Sequence, residues 1–170
     1  MCIRDRFTFG SEGHVEEQFS VDVGAVRYME RYHLDGVVPD EVLKEALAAL
    51  DADLARLDGR PRCDVLVGMG GAVTNLAAVK HGLVEYDADV VQGTVLDRSE
   101  IDRQIDLFRT RGPDERRAIV GLQPSRADLI LAGACIVRTV LDKLGQDSLT
   151  VSDRGLRHGV LVDRFSPHDR

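Results

Sequence analysis

A glycine-rich turn is the part of the sequence best suited to bind an anion. Three glycines follow the apolar residues 63–67 and precede a predicted helix, residues 72–80. Glycines let backbone N–H groups approach a phosphate without an obstructing Cβ, and a helix N-terminus adds partial positive charge. The first turn of the helix adds two polar side chains. The predicted phosphate-binding residues are Gly68, Gly70, Gly71, Thr74 and Asn75.

The same glycines are compatible with other interpretations. A Rossmann loop has the pattern G-x-G-x-x-G, and Gly68 and Gly70 match its first two glycines. Val73 occupies the third position, where a glycine or alanine is needed for close packing of helix on strand. A P-loop needs Gly-Lys-Ser/Thr, which this segment lacks. A tight turn from strand to helix without any ligand is a further alternative.

A second polar segment follows the predicted strand 148–151. α/β sheets place ligands just beyond the carboxyl ends of their strands, so Ser152, Asp153 and Arg154 are predicted to line a cleft. Arg154 could bind an oxyanion, and Asp153 could hold a metal or fix an arginine. The alternative is an ordinary helix start with solvated arginines.

A third cluster contains arginines at positions 116, 117 and 126. The formal net charge of the 170-residue chain is −7, so a phosphate site needs cations gathered locally. We predict that Arg116, Arg117 and Arg126 supply this charge, with Arg126 lining the cleft. Exposed arginines without a function are the alternative.

Composition excludes several classes of protein. An acidic chain is a poor general binder of nucleic acid. No apolar run approaches the roughly 18 residues of a membrane helix, and no signal peptide is evident, which predicts a cytoplasmic protein. Cys2, Cys63 and Cys135 lie far apart, which argues against disulfides and a zinc site. The sequence predicts no metal site formed by protein residues alone.

Apolar periodicity predicts an α/β chain. The predicted strands are residues 7–10, 15–23, 63–67 and 148–151, with residues 63–67 forming a buried strand. The predicted helices are Ala25–Tyr32, 40–57, 72–80, 99–109, 125–144 and Leu156–Phe165. The hairpin that begins at residue 7 has no parallel strand before it, so a first central strand is predicted to be missing.

Residues at the predicted helix ends suggest how these helices start and stop. Asp40, Ser99 and Ser125 are predicted N-caps, and Ser125 with Asp128 resembles a capping box. Gly82 and Gly145 are predicted to end their helices. The helix 125–144 carries a broad apolar stripe, and one hypothesis is that this helix forms a dimer interface.

Together these segments resemble the exopolyphosphatase/guanosine pentaphosphate phosphatase (Ppx/GppA) family over nearly the whole chain. The two longest matching motifs are Gly68-Met69-Gly70-Gly71-Ala72-Val73-Thr74-Asn75-Leu76-Ala77-Ala78 and Val151-Ser152-Asp153-Arg154-Gly155-Leu156-Arg157. Shorter matches are residues 23–27, 92–96, 115–116, 121–122, 126–128 and 131–134.

The resemblance implies a ribonuclease-H-like second domain of the actin/Hsp70/sugar-kinase superfamily. Its glycine turn would be the second of two phosphate loops. The implied activity is release of terminal phosphate from inorganic polyphosphate, or hydrolysis of guanosine pentaphosphate, with Mg²⁺ as cofactor and a homodimer formed by the parent protein. A non-catalytic module that binds nucleotide or phosphate is the alternative.

The sequence also departs from the family pattern. Residues 1–6 stand where the family has a strand and a glycine-rich Asp loop, and Arg6 occupies the position of a glutamate. By this comparison residues 1–6 are an aberrant segment, residues 7–165 a partial second domain and residues 166–170 a tail. The catalytic glutamate and first phosphate loop would be absent, so we assign no catalytic residue and expect the fragment to be inactive alone. Smaller departures are Met69, Ala72, Asn75, Gln92 and His158.

Overall fold

The computed structural model describes residues 5–165 as an α/β arrangement, as predicted. The strands in this part of the chain are β1 Asp5–Ser11, β2 His14–Val21, β3 Val67–Met69, β4 Val95–Asp97 and β5 Ser148–Ser152. The helices are α1 Ala25–Tyr32, α2 Asp40–Asp53, α3 Gly71–His81, α4 Ala88–Val91, α5 Arg98–Arg109, α6 Pro113–Arg117, α7 Ile130–Lys143 and α8 Leu156–Phe165. The predicted tail 166–170, and the first four residues of the predicted aberrant segment, lie outside the described residues.

The strands form two separate small sheets. β1 and β2 make an antiparallel hairpin in which Phe7 pairs with Phe19, and their rings stack with centroids 5.6 Å apart. In the second sheet β5 lies between β3 and β4, parallel to β3 and antiparallel to β4. The strand β4 was not predicted from the sequence, because three residues are too few to show a two-residue alternation.

The prediction of a buried strand at residues 63–67 is wrong. The strand lies at residues 67–69, and Val65, Val67 and Met69 are 65%, 49% and 60% exposed. β3 is an edge strand of its sheet, and residues 5–165 leave about half or more of each of these side chains exposed. The apolar sequence predicted buried side chains, but in this chain they are exposed.

Helix α7 is the centre of the core. It packs against α1, α2, α3 and α5, and its residues Ile130 to Ile136 are all buried. The predicted start at Ser125 is wrong, because a 3₁₀ turn, Pro124–Arg126, precedes the helix and no side chain caps it. Asp128 pairs with Arg117 at 3.3 Å instead of completing a capping box. The apolar residues of α7, which one hypothesis assigned to a dimer interface, pack instead against other helices of the same chain.

The ends of the other helices agree in part with the predictions. Gly82 and Gly145 follow α3 and α7 with φ near +60°, which confirms both as helix stops. Asp97, and not Ser99, caps α5 by accepting from Glu100 N at 2.8 Å. Asp40 is the first residue of α2 and does not cap it. None of the helices in residues 5–165 is both long and apolar enough to cross a membrane.

Candidate functional site

The glycine turn between β3 and α3 needs glycine for two different reasons. Gly70 has φ +107°, a backbone conformation that other residues adopt only with strain. Gly68 is packed closely, because a Cβ there would lie 3.0 Å from both Leu149 Cδ1 and Val73 Cγ1. The turn therefore brings the backbone sharply from the sheet into the helix.

The first turn of α3 presents unused hydrogen-bond donors. Thr74 N donates to Gly70 O at 3.2 Å, which begins the helical pattern, and no side chain caps the helix. The preceding N–H groups of Gly71, Ala72 and Val73 have no acceptor in residues 5–165. Such a helix end attracts an anion through its free N–H groups and its dipole.

The guanidinium group of Arg126 lies against this same helix end. A Cβ built on Gly71 would lie 3.1 Å from Arg126 Cζ and Nη2, so only glycine at position 71 leaves room for it. In the described part of the chain, the Arg126 side chain has no hydrogen-bond or ion-pair partner. The geometry therefore combines free amides with a free positive charge, as an anion site requires.

Asn75 holds the segment that carries Arg126. Its Oδ1 accepts from Gln123 N at 2.8 Å and its Nδ2 donates to Gly71 O at 2.8 Å. The side chain is 1% exposed, and both ends of its amide are bonded to protein. The predicted direct bond from Asn75 to phosphate does not fit this arrangement, in which Asn75 braces the turn.

The side chain of Thr74 is likewise engaged within the protein. Its hydroxyl lies 3.2 Å from Gly70 O and donates to it. The hydroxyl has only one proton. The backbone amides, more than the polar side chains, are thus the donors that this turn offers to a ligand.

Arg116 does not belong to the site, contrary to the prediction for the arginine cluster. Its side chain is fully buried and donates to the carbonyl oxygens of Phe108, Leu34, Gly36 and Ala127. Burial lowers the pKa of this guanidinium below its ordinary value. Arg117 is half-exposed and pairs with Asp114 and Asp128. Of the three arginines, Arg126 alone lies at the glycine turn.

The second predicted segment lies next to the glycine turn. β3 and β5 run parallel with Met69 opposite Ser152, so the loops that follow them leave the sheet at the same edge. The sequence placed Asp153 and Arg154 directly after this strand, and the structure brings them beside the turn. Arg154 is exposed, and its guanidinium has no partner in residues 5–165.

Two residues that tie this loop down were not assigned a site role from the sequence. The Tyr86 hydroxyl donates to Asp153 Oδ1. Gln92 Oε1 accepts from Asp153 N at 2.9 Å and from Ser152 Oγ at 3.4 Å. Tyr86 sits in an irregular connection with no periodicity, and Gln92 stood out only as a departure from the family pattern.

The side chains at this edge of the sheet could bind a metal ion only together with ligand groups from a bound phosphate. Residues 5–165 contain no group of three or more His, Cys, Asp or Glu side chains placed to hold a metal. Asp153 is a single carboxylate on the loop after β5, at the same edge of the sheet as the glycine turn. Mg²⁺ is commonly held by one or two carboxylates together with substrate phosphates and water, and one carboxylate fits that mode.

Comparisons with known proteins identify the family of the chain. A model of the Ppx/GppA phosphatase family matches residues 6–168. The chain belongs to this family. The Ppx/GppA chain is 29% identical over 170 residues to exopolyphosphatase 2 of Mycobacterium tuberculosis, covering 89% of the chain and 50% of that protein. It is 26% identical to a bifunctional 3-dehydroquinate synthase/phosphatase of Fusobacterium nucleatum, covering 92% of the chain and 24% of that protein.

A solved structure of the Aquifex aeolicus Ppx/GppA phosphatase superposes on the chain with a TM-score of 0.91 at 32% identity. The match covers 97% of this chain and 55% of the Aquifex chain. The Ppx/GppA chain thus spans about half of that structure and of the mycobacterial relative. The predicted fold class, an α/β domain of the ribonuclease-H-like type in this family, is confirmed.

Proposed function

We propose that this chain is a phosphate-binding part of an enzyme that releases terminal phosphate from inorganic polyphosphate. One observation carries the proposal: the unpaired amides of Gly71, Ala72 and Val73 lie beside the unpaired guanidinium of Arg126. Both kinds of group stabilise the negative charge of phosphate oxygens, including the charge that develops on the leaving oxygen as the anhydride bond breaks.

The acidic balance of the chain is compatible with this substrate because the site charge is local. At the site Arg126 faces the ligand and Arg154 extends from the neighbouring loop, while Arg116 and Arg117 are engaged elsewhere. In the proposal Gly68, Gly70 and Gly71 shape the backbone, and Thr74 and Asn75 stabilise the turn. Ser152, Asp153, Arg154 and Arg126 line the cleft.

Mg²⁺ enters the proposal as an ion carried by the substrate. Such an ion would neutralise part of the phosphate charge, and Asp153 is the carboxylate of this edge that would help to hold it. Cytoplasmic location and a homodimer of the whole protein likewise remain proposals.

Guanosine pentaphosphate is the second candidate substrate. It presents the same terminal phosphate, and the glycine turn holds no group that would distinguish a guanosine from a further phosphate. The exopolyphosphatase name of the mycobacterial relative favours polyphosphate. Val73 argues against a dinucleotide site, because it occupies the position where such a loop needs glycine or alanine.

A binding measurement tests the proposal. We expect the purified chain to bind tripolyphosphate in metal-free buffer, and Arg126→Met to weaken that binding about 10-fold to 100-fold. This range corresponds to losing one charge-assisted hydrogen-bonding group worth about 1.5–3 kcal/mol. Isothermal titration calorimetry measures both dissociation constants.

Arg103→Met is the matched control for this experiment. Arg103 is an exposed arginine on α5 that pairs with Glu100 at 2.6 Å, so its removal changes the net charge equally but leaves the glycine turn intact. Weakening by Arg103→Met as large as that by Arg126→Met would mean that only net charge matters. Absence of tripolyphosphate binding by the unaltered chain would contradict the proposed site.

A second prediction concerns turnover. The family resemblance assigns the carboxylate that positions the attacking water to a part of the relatives that this chain does not cover. We therefore expect the purified chain to release no phosphate from polyphosphate above a control without enzyme. Phosphate release that disappears in Arg126→Met would show that the described residues suffice for catalysis.

A further inference from the structure

Tyr86 joins the two loops that flank the proposed phosphate site. Its hydroxyl donates to the carboxylate of Asp153, which follows β5. Asp153 directly follows Ser152, which lies opposite Met69 in the parallel pairing of β5 with β3, so this contact is at the edge of the sheet where the glycine turn begins. The Tyr86 hydroxyl therefore contacts the negative side chain on the loop beside the glycine turn.

The position of Asp153 presents an electrostatic problem for an anion site. A carboxylate near a bound phosphate repels it, and the repulsion grows as water is excluded and the separation falls. The backbone of Asp153 is held by Gln92, whose Oε1 accepts from Asp153 N at 2.9 Å. With the backbone fixed in this way, the side-chain contact decides where the carboxylate charge lies.

We propose that Tyr86 is a positioning residue that holds the Asp153 carboxylate and shields a bound phosphate from its charge. The hydroxyl supplies a hydrogen bond to the ionised carboxylate and so favours one placement of that charge. This inference rests on the proposed function, because it concerns the ligand of the same site.

The protonation state of Tyr86 suits this role. Burial, followed by the hydrogen bond to Asp153, raises the pKa of Tyr86 to about 12. The group therefore stays a protonated donor throughout the neutral range. Tyr86 is 43% exposed, so its replacement by phenylalanine removes a hydroxyl without opening a core cavity.

A double-mutant cycle with tripolyphosphate as the probe tests the inference. In metal-free buffer of low ionic strength we expect Tyr86→Phe to weaken binding about threefold to tenfold, since the freed carboxylate repels the ligand. Asp153→Asn should bind at least as tightly as the unaltered chain. The double variant Tyr86→Phe/Asp153→Asn should bind like Asp153→Asn, because the charge on which Tyr86 acts is gone.

Tyr28→Phe is the matched control. Tyr28 also donates to a carboxylate, Asp53 Oδ2 at 2.6 Å, but between α1 and α2. We expect this variant to bind tripolyphosphate normally. The effect of Tyr86→Phe should also shrink as salt is added, which a purely structural loss would not do.

The possible outcomes separate the two proposals. If the unaltered chain does not bind tripolyphosphate, the phosphate site itself is refuted. If it binds and Tyr86→Phe binds equally well, only the role of Tyr86 is refuted. A loss in Tyr86→Phe that persists undiminished in the Asp153→Asn background, or at high salt, would also overturn that role.

Discussion

Replacing Arg116 with methionine should lower the free energy of unfolding by about 3–5 kcal/mol, enough to unfold much of the protein at moderate temperature. The guanidinium group is fully buried, and its acceptors are carbonyl oxygens of residues in α5, in the loop after α1 and at Ala127. Methionine fills part of the volume but leaves those carbonyls without donors. Chemical denaturation followed by circular dichroism measures the change.

The neighbouring residue provides the control for this prediction. Arg117 is half-exposed, and its pairs with Asp114 and Asp128 lie at the surface. Arg117→Met should change the free energy of unfolding by only about 0–1 kcal/mol. Equal stability losses for the two variants would contradict the assignment of Arg116 as an internal brace.

Gly121→Ala should destabilise the protein by more than about 3 kcal/mol. Gly121 has φ +89°, and an added Cβ would lie 2.3 Å from Ala78 O and 2.7 Å from Val79 N. Those atoms belong to the backbone of α3, which cannot move aside as a side chain can. Thermal or denaturant unfolding of the variant measures the loss.

Gly145→Ala separates the clash from the backbone strain. Gly145 also has positive φ, near +60°, but an added Cβ would meet nothing within 4 Å. This variant should lose only the roughly 1–2 kcal/mol of the left-handed conformation. If Gly121→Ala is no worse than Gly145→Ala, the close packing of residue 121 on α3 does not contribute to stability.

Both large effects concern the support of Arg126. On one side Gly121 and Gln123 attach the segment before Arg126 to α3, through the Ala78 backbone and Asn75. On the other side Arg116 donates a hydrogen bond to the carbonyl of Ala127, the residue that follows Arg126. We therefore expect Arg116→Met and Gly121→Ala to bind phosphate less well in addition to being less stable.

The glycine turn was predictable because its signal is local. Glycines between an apolar segment and a helical one require a tight turn, and Gly70 has the conformation that only glycine adopts easily. The placement of Asp153 and Arg154 followed from a rule about strand ends in α/β sheets. These inferences need no knowledge of distant contacts.

The roles of the arginines were not predictable in this way. Arg116 and Arg117 are adjacent in a short polar helix, yet one is fully buried and the other half-exposed. Which one turns inward depends on carbonyl groups 80 and 82 residues earlier in the chain. The prediction of a buried strand at residues 63–67 was wrong for a similar reason, because an apolar sequence does not show whether other residues cover it.

The close contact of α3 with α7 affects the entropy cost of binding a ligand. An added Cβ on Gly133 of α7 would lie 2.8 Å from Ala72 Cβ, so the mouth of the site rests on the most enclosed helix of the protein. We therefore expect the glycine turn to be rigid before a ligand binds, so that the protein loses little conformational entropy on binding. The ordering cost falls on the flexible polyanion, so short, stiff phosphate chains should lose proportionally less affinity to entropy than long ones.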